Sequence, residues 1–300
     1  MHDEHHGVDE VLYRDTGLRR DALRSDTWRP ATVLSVEHAA EDMIALTLRP
    51  ETTIPHIPGQ YLDVRFPGER RSRSFSIASA PPAGESTDAE GSAIETLGPS
   101  LVGSAIELGI RVLPWGNLTP RLAAARPGTV VEIRGPVGRG FTWTPDEPGT
   151  LVLIGAGAGV TPLISMYEHA IRTSTPQGTR RRSGGTDPAR SVIFLASART
   201  PDHLYRYARY RDAMTTRFTA EEPRIDRAFL EEHLGPFPRE PIQRRTIGRS
   251  RAATRTASTQ KDAAGVTIRV CGPGGFIGTV VDALLDLGVR SERIRSEGFT

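Results

Sequence analysis

The sequence contains very little cysteine and very little lysine. Cys271 is the only cysteine among 300 residues, and Lys261 is the only lysine among 38 lysine and arginine residues. A single cysteine excludes an intrachain disulfide framework, a zinc site built from cysteines and a cysteine-ligated iron–sulfur cluster within this chain. It also favours a reducing compartment. We therefore predict a cytoplasmic protein without a metal site.

The sequence also lacks a strong net charge and a long apolar run. Its 38 basic and 36 acidic residues leave a net charge of +2. Nucleic-acid-binding proteins are usually more basic, so we predict no nucleic-acid partner. The one uncharged stretch, residues 148–167, is interrupted by Gly155, Gly157, Gly159 and Pro162. This pattern predicts a strand, a glycine turn and a helix start, not a membrane span.

The overall composition is typical of a soluble globular protein. Hydrophobic residues make up 37% and charged residues 25% of the chain. Its length suits about two domains of ~150 residues each. Residues 1–27 are polar with little apolar periodicity, which predicts a disordered tail. His2, His5 and His6 lie in this tail among acidic residues, a pattern more typical of a solvated segment than of a metal site.

Residues 28–147 consist of short β-like runs separated by frequent turns. This pattern predicts an antiparallel barrel or sandwich. A polar insertion is predicted at 81–104. The predicted strands are Ala31–Val36, Met43–Leu48, Tyr61–Phe66, Ser74–Ile77, Ala105–Leu113 and Val130–Ile133.

Residues 148–300 alternate between apolar runs and helix-like segments. The apolar runs are Leu151–Ile154, Val192–Ala196 and Val266–Val270. Helices are predicted from Thr161, from Pro201, and from about Gly275 to Leu287. This alternation predicts a parallel sheet with helical crossovers. Two further polar insertions are predicted at 173–190 and 239–262.

Two motifs in the first half can bind a flat ring and a phosphate. Arg73 and Phe75 share one face of a predicted strand, so one can pair with a phosphate while the other stacks on a ring. An ordinary strand with Phe75 in the core is the alternative. Residues 116–119, Gly-Asn-Leu-Thr, precede a helix-prone stretch whose amides can bind an anion. Simple capping by Asn117 or Thr119 is the alternative.

Three motifs in the second half follow apolar runs. The alternating glycines of residues 155–162 permit close approach of a phosphate or ribose, with Thr161 predicted as helix cap and Pro162 as first helical residue. A tight strand–helix turn is the alternative. Arg199 follows the second run, where it could meet a 2′-phosphate or simply be a surface arginine. Cys271 ends the third run; an inert buried thiol is its alternative.

The order of these motifs resembles that of the ferredoxin–NADP⁺ reductase superfamily. The series is Arg-Ser-Phe-Ser, Gly-Asn-Leu-Thr, Gly-Pro-Val-Gly, Gly-x-Gly-x-Gly-x-Thr-Pro, Cys-Gly-Pro-x-x-Phe and a closing Glu-Gly-Phe. The sequence is most similar to stand-alone flavin-binding oxidoreductases related to oxygenase reductase components, without an iron–sulfur domain. The resemblance extends from about residue 28 to the end, apart from the insertions.

The resemblance implies an FAD-binding antiparallel β-barrel over 28–147 and a Rossmann-like NAD(P)-binding α/β domain over 148–300. Phe75 would stack near the flavin ring and Ser76 would hydrogen-bond near its N5 atom. Wrapping of a pyrophosphate by residues 116–119 favours FAD over FMN. The family more often has tyrosine at the position of Phe75. The residues implied to bind the flavin are Arg73, Ser74, Phe75, Ser76, Gly116, Asn117, Leu118 and Thr119.

The resemblance also implies a pyridine-nucleotide site. Ser197 and Arg199 would hold a 2′-phosphate, which favours NADP(H) and leaves NAD(H) as the other coenzyme. Phe299 would cover the flavin. The implied catalytic residues are Ser76, Cys271 and Glu297. The residues implied to bind the coenzyme are Gly157, Gly159, Val160, Thr161, Pro162, Ser197, Arg199, Cys271, Gly272 and Pro273.

The predicted activity is hydride transfer from NAD(P)H to FAD, followed by electron transfer to a separate acceptor. That acceptor would be a ferredoxin, an oxygenase or a small molecule. A regulatory subunit that binds flavin and nucleotide without turnover is the alternative. A dehydrogenase without flavin is disfavoured because the first domain carries its own ring-and-phosphate motif.

Overall fold

The computed structural model describes residues 27–82, 105–174, 191–235 and 265–299. The predicted tail and most of the three predicted insertions lie outside these ranges. Helix α2, which runs from Val160 to Ser174, includes the first two residues of the predicted insertion at 173–190. The helix therefore overlaps the start predicted for this insertion, at about residue 173.

The first domain is an antiparallel barrel. Its strands follow the order β4-β3-β6-β1-β2-β5, and an antiparallel bridge between Ile77 and Leu108 joins the two edges. Apolar side chains on alternate positions, such as Leu46 and Leu62, are fully buried inside it. The predicted antiparallel barrel is confirmed. The strands are β1 (Arg29–Ala40), β2 (Met43–Pro50), β3 (Tyr61–Arg65), β4 (Arg73–Ser76), β5 (Ile106–Arg111) and β6 (Val130–Val137).

The second domain is a parallel five-stranded sheet in the order β11-β10-β7-β8-β9. Helix α2 packs on one face, against Leu151 and Leu153 of β7, and α4 and α5 pack on the other, against Val152 and Ile154. Burial on both faces explains the continuous apolar runs. The predicted parallel α/β domain is confirmed. Its strands are β7 (Thr150–Ala156), β8 (Val192–Ala198), β9 (Thr215–Phe218), β10 (Val266–Pro273) and β11 (Ile294–Phe299).

Five helices are present in the described ranges, and three features were not predicted. The sequence analysis missed β9, α4 and β11. Helix α4 has a regular start, since the Asp226 side chain accepts a hydrogen bond from the Phe229 amide at 3.0 Å. The helices are α1 (Thr119–Ala123), α2 (Val160–Ser174), α3 (Tyr207–Tyr210), α4 (Arg227–Leu234) and α5 (Gly274–Asp286).

The helix predicted from Pro201 is wrong. The chain forms only a 3-10 turn over Pro201–His203 and then the four-residue α3. Between them, Arg206 has a φ of +50° and is the only non-glycine residue with positive φ in the described ranges. Its amide donates to the Ala39 carbonyl at 2.8 Å. The segment therefore leaves the helical path to contact the barrel.

The two domains share an apolar core. Met43, Ala45 and Ala78 of the barrel belong to the same buried cluster as Leu163 and Met166 of α2. Phe141 and Trp143, in the segment between β6 and β7, also belong to it. The predicted domain boundary at 147/148 falls in this segment. Burial of these side chains fixes the two domains against each other.

Candidate functional site

The sheet order places a crevice between β7 and β10. After β7 the chain crosses to β8 on one side, and after β10 it crosses to β11 on the other. Parallel α/β sheets bind ligands at such a reversal, outside the carboxyl ends of the strands. The glycine turn after β7 and the Pro273 end of β10 both lie there.

An open cleft of about 1630 Å³ lies at this edge and is lined by both domains. It exceeds the roughly 300–1,000 Å³ of a pocket for a drug-sized molecule, and so suits larger ligands. The lining residues are Glu69, Arg70, Arg71, Ser72, Arg73, Ser74, Phe75, Ser76, Gly109, Arg111, Leu113, Trp115, Gly116, Asn117, Leu118, Thr119, Arg121, Ala156, Gly157, Ala158, Gly159, Thr161, Pro273, Gly298 and Phe299.

Strand β4 supplies one wall of the cleft. Arg73 is exposed, Phe75 is half-buried and Ser76 is buried. The Ser74 hydroxyl donates to Asp63 Oδ1 at 2.6 Å, and Arg134 pairs with the other carboxylate oxygen at 2.6 Å. Ser74 is therefore engaged in holding β4 to β3. The guanidinium of Arg73 makes only a long 3.5 Å contact to the Ser72 carbonyl, which leaves it available to an anion.

The turn before α1 supplies a second part of the barrel wall. The Thr119 hydroxyl accepts a hydrogen bond from the Leu113 amide at 3.0 Å, which closes the turn around Gly116. The N-cap of α1 is Leu118, and no side chain caps the helix. The alternative of capping by Asn117 or Thr119 is therefore wrong. With its amides uncapped, the turn can still donate to an anion.

The start of α2 supplies the opposite wall. A 3-10 turn over Gly157–Gly159 runs directly into the helix, which begins at Val160. Thr161 is therefore not the cap and Pro162 is the third helical residue, so both predicted positions are wrong. A side chain on Gly159 would collide with the Cys271 carbonyl oxygen, which explains why glycine is needed where α2 meets β10.

Thr161 contacts the barrel and has an unsatisfied hydroxyl. It is 1% exposed, and its Oγ1 atom has no hydrogen-bond partner among the described residues. A Cβ atom built on Gly109 of β5 would lie 2.5 Å from that oxygen. Buried hydroxyls without a partner are costly, so a polar ligand in the cleft would satisfy this one.

The closing motif and the cysteine motif meet on adjacent strands. Cys271 pairs with Glu297, Gly272 with Gly298, and Pro273 with Phe299. Pro273, Gly298 and Phe299 line the cleft, whereas Cys271 is fully buried behind its wall. Burial, and then the nearby Glu297, raise the pKa of the Cys271 thiol, which therefore stays protonated. Burial likewise raises the pKa of Glu297.

The predicted 2′-phosphate residues lie at the end of β8, outside the main cleft. Ser197 is buried and Arg199 is exposed. The sequence analysis missed Arg217, which pairs with Ser197 across β8 and β9. Its guanidinium lies 4.6 Å from the centre of the Phe229 ring. The sequence pattern that would predict this strand is weak, because Thr215–Phe218 has only four residues.

The sequence analysis also missed most of the positive charge in the cleft. Arg70 and Arg71 are exposed on its wall, next to Arg73. Arg111 and Arg121 also line it, and each is already paired, with Asp42 and Glu69 respectively. The run of arginines just before β4 is the sequence pattern that could have predicted this positive charge. This charge favours an anionic ligand.

Three comparisons identify what the chain is similar to. It is 26% identical over 271 residues to the reductase component of propane 2-monooxygenase from Rhodococcus jostii, covering 89% of this chain and 62% of that protein. The crystal structure of the cytochrome P450 reductase GcoB of Amycolatopsis matches with a TM-score of 0.61 and 22% identity, covering 92% of this chain and 71% of that one. The chain therefore shares the two-domain fold of this reductase. The predicted resemblance is thereby confirmed.

A further solved structure matches almost end to end. It is the FAD/NAD-binding domain of nitric oxide dioxygenase from Vibrio cholerae, with a TM-score of 0.58 and 18% identity, covering 90% of this chain and 98% of that one. No protein-family model matches the sequence. The chain spans less than two thirds of the length of the curated relatives it matches, from 30% of one to 62% of another.

The described ranges contain neither a membrane-spanning helix nor a cluster of metal-ligating side chains. No helix there is both long and apolar enough to cross a membrane. In the same ranges, no three histidine, cysteine or carboxylate side chains cluster as a metal site would require.

Proposed function

We propose that this protein is an FAD-dependent NAD(P)H oxidoreductase that delivers electrons to a separate acceptor. The observation that carries the proposal is the two-walled cleft. Its barrel wall contains Phe75 and the exposed guanidinium of Arg73, and its other wall contains the start of α2. A flat ring with a phosphate tail fits the first wall, and a nucleotide fits the second.

The residues on the barrel wall would hold FAD. Arg73 would pair with its pyrophosphate, and the uncapped amides of residues 117–119 would bind the same group. Phe75 would lie along the ring, and the buried hydroxyl of Ser76 would donate a hydrogen bond to a ring nitrogen. The Thr161 hydroxyl, which has no hydrogen-bond partner among the described residues, lines the same cleft from α2. When bound, FAD would accept a hydride and release electrons singly.

The residues of the α/β domain would hold and orient the coenzyme. The backbone at Gly157 is open to a phosphate, since a Cβ on this residue would contact nothing within 4 Å. Cys271 would act as a neutral thiol that packs behind the nicotinamide. Glu297 keeps its proton to higher pH than an exposed glutamate because it is half-buried. Phe299 would exclude water from the cleft.

The acceptor would be a ferredoxin, an oxygenase or a small molecule. The relative from Rhodococcus jostii is named as the reductase component of a monooxygenase, which favours an oxygenase-type acceptor here. We also propose a cytoplasmic location, in keeping with the single cysteine. Cell fractionation of the native host would test the location.

The absorbance spectrum of the purified protein tests the cofactor and the reaction together. We expect a yellow protein that releases FAD on denaturation and bleaches when NADPH is added without oxygen. A colourless protein that remains flavin-free after incubation with FAD would contradict the proposal. A protein that binds both FAD and NADPH but does not bleach would support the regulatory alternative instead.

The coenzyme preference is tested by Arg199→Ala. A charge-assisted pair between Arg199 and a 2′-phosphate would be lost, so we expect the ratio of kcat/KM for NADPH over NADH to fall by about tenfold or more. Arg224→Ala is the control, because Arg224 is also exposed and lies outside the proposed site. An unchanged ratio in Arg199→Ala would remove Arg199 from the site.

A further inference from the structure

A short segment of the α/β domain is fixed to the barrel by polar contacts. This segment, residues 200–206, is here called the strap. The Asp202 carbonyl accepts from the Glu41 amide at 2.7 Å, and the Arg206 amide donates to the Ala39 carbonyl at 2.8 Å. His203 Nε2 lies 3.0 Å from Glu41 Oε2. The strap is therefore held against the β1–β2 hairpin at Asp202, His203 and Arg206.

The strap ends in a shielded ion pair between the domains. Arg206 donates from Nε to Glu107 Oε1 at 2.9 Å and from Nη2 to Oε2 at 2.5 Å, a two-pronged arrangement with little freedom. The fully buried Tyr205 donates to the same carboxylate at 2.8 Å. The Arg206 and Glu107 side chains are only 16% and 18% exposed, so solvent screens the pair weakly.

The backbone of Arg206 indicates that this contact is specified by the fold. Its φ of +50° is a conformation that residues with a side chain rarely adopt. Such a conformation persists only when the surrounding structure holds it, and such positions cluster at functional sites. Here the Ala39 carbonyl, Glu107 and Glu37 hold it, the last at 3.1 Å from Arg206 Nη1.

The strap runs from the proposed 2′-phosphate site to a barrel strand, β5, that lines the cleft. At one end it follows Arg199, at the carboxyl end of β8. At the other it contacts Glu107, whose carbonyl accepts from the Ala78 amide at 2.8 Å and whose amide donates to Ser79 Oγ at 3.1 Å. Glu107 is two residues from Gly109, which contacts Thr161. The ion pair thus joins the segment that follows the proposed 2′-phosphate site to β5, a strand in the barrel wall of the cleft.

We propose that Arg206 and Glu107 are positioning residues that set where a coenzyme bound at the end of β8 lies relative to the barrel wall of the cleft. The proposal rests on the proposed function. Hydride transfer requires reacting atoms about 3–3.5 Å apart, so a small displacement between the domains is costly. The pair lies outside the cleft and contacts no proposed ligand; it would act through the strap and β5.

The first test compares Glu107→Gln with wild type in single-turnover reduction by NADPH. We expect the limiting rate to fall by about tenfold, with NADP⁺ affinity changed less than about threefold, because position and not binding is lost. Reduction by dithionite, which needs no coenzyme, should be unchanged. Arg209→Gln is the matched control, since Arg209 pairs with Glu168 inside the α/β domain and is 59% exposed.

The second test measures amide hydrogen exchange with and without NADP⁺, and needs no turnover. In wild type, NADP⁺ should slow exchange both in the strap and in β5. In Glu107→Gln it should slow exchange in the strap alone. Arg206→Lys keeps the charge but loses the two-pronged hydrogen bonding to Glu107. It replaces Glu107→Gln in both tests if that variant does not fold.

The outcomes separate the two proposals. A wild type that binds NADP⁺ without flavin reduction contradicts the proposed function, while the exchange experiment still tests the pair. The positioning role is overturned if a folded Glu107→Gln or Arg206→Lys variant reduces its flavin at the wild-type rate and NADP⁺ still slows hydrogen exchange in β5.

Discussion

Replacing Glu147 with alanine is expected to lower the free energy of unfolding by about 3 kcal/mol, because it would leave a buried guanidinium without its counter-charge. Arg269 is 1% exposed, and its Nη2 atom lies 2.6 and 2.8 Å from the two carboxylate oxygens of Glu147. It also donates to the Thr142 carbonyl at 2.7 Å. Burial lowers the pKa of Arg269, although Glu147 opposes this. Chemical denaturation followed by circular dichroism would measure the loss.

A surface ion pair provides the control for Glu147. Asp212 is 96% exposed and lies 3.8 Å from Arg211, so Asp212→Ala should change stability by less than about 0.5 kcal/mol. Glu147→Gln keeps a hydrogen-bond acceptor, so its effect on the free energy of unfolding should lie between those of Glu147→Ala and Asp212→Ala. Equal effects of Glu147→Ala and Asp212→Ala would show that the Arg269 contact contributes no more than a surface pair.

Gly159→Ala is expected to destabilise the protein by about 2–3 kcal/mol, the upper range for overpacking. The new methyl group would collide with the Cys271 carbonyl and lie 2.7 Å from the Gly272 amide nitrogen. These are backbone atoms of a central strand and cannot rotate away. Because relief would require α2 to move off β10, we also expect about tenfold weaker NADP⁺ binding, which titration calorimetry would measure.

Gly278, within helix α5, offers a matched comparison. A Cβ on Gly278 would contact nothing within 4 Å. Gly278→Ala should therefore raise stability by about 0.5–1 kcal/mol, since alanine is the better helix former. Wild-type stability and NADP⁺ affinity in Gly159→Ala would mean that α2 does not need to approach β10 this closely.

The architecture was predictable because its signals are local. The apolar runs of β7, β8 and β10 reflect burial on both faces, and each was predicted within a few residues. The alternating glycines after β7 mark a strand–helix turn whatever they bind. The residues of β4 and of the 116–119 turn were predicted as part of one site, and the structure brings both into the same cleft.

The errors occurred where tertiary contacts override local preference. Pro201 predicts a helix start, but the strap instead follows polar contacts with the β1–β2 hairpin. Thr161 resembles a cap because the pattern cannot show that the 3-10 turn runs directly into α2. The pairing of Arg217 with Ser197 and its stacking on Phe229 were missed because these residues are distant in sequence.

The contact between Gly109 and Thr161 restricts how the domains of related reductases can be recombined. Any β-carbon at position 109 would come within 2.5 Å of the threonine side chain. A chimera that joins this α/β domain to a foreign barrel would therefore need glycine at the equivalent position of its fifth strand. Conversely, a barrel with a larger residue there would pair only with an α/β domain whose first helix carries a smaller one.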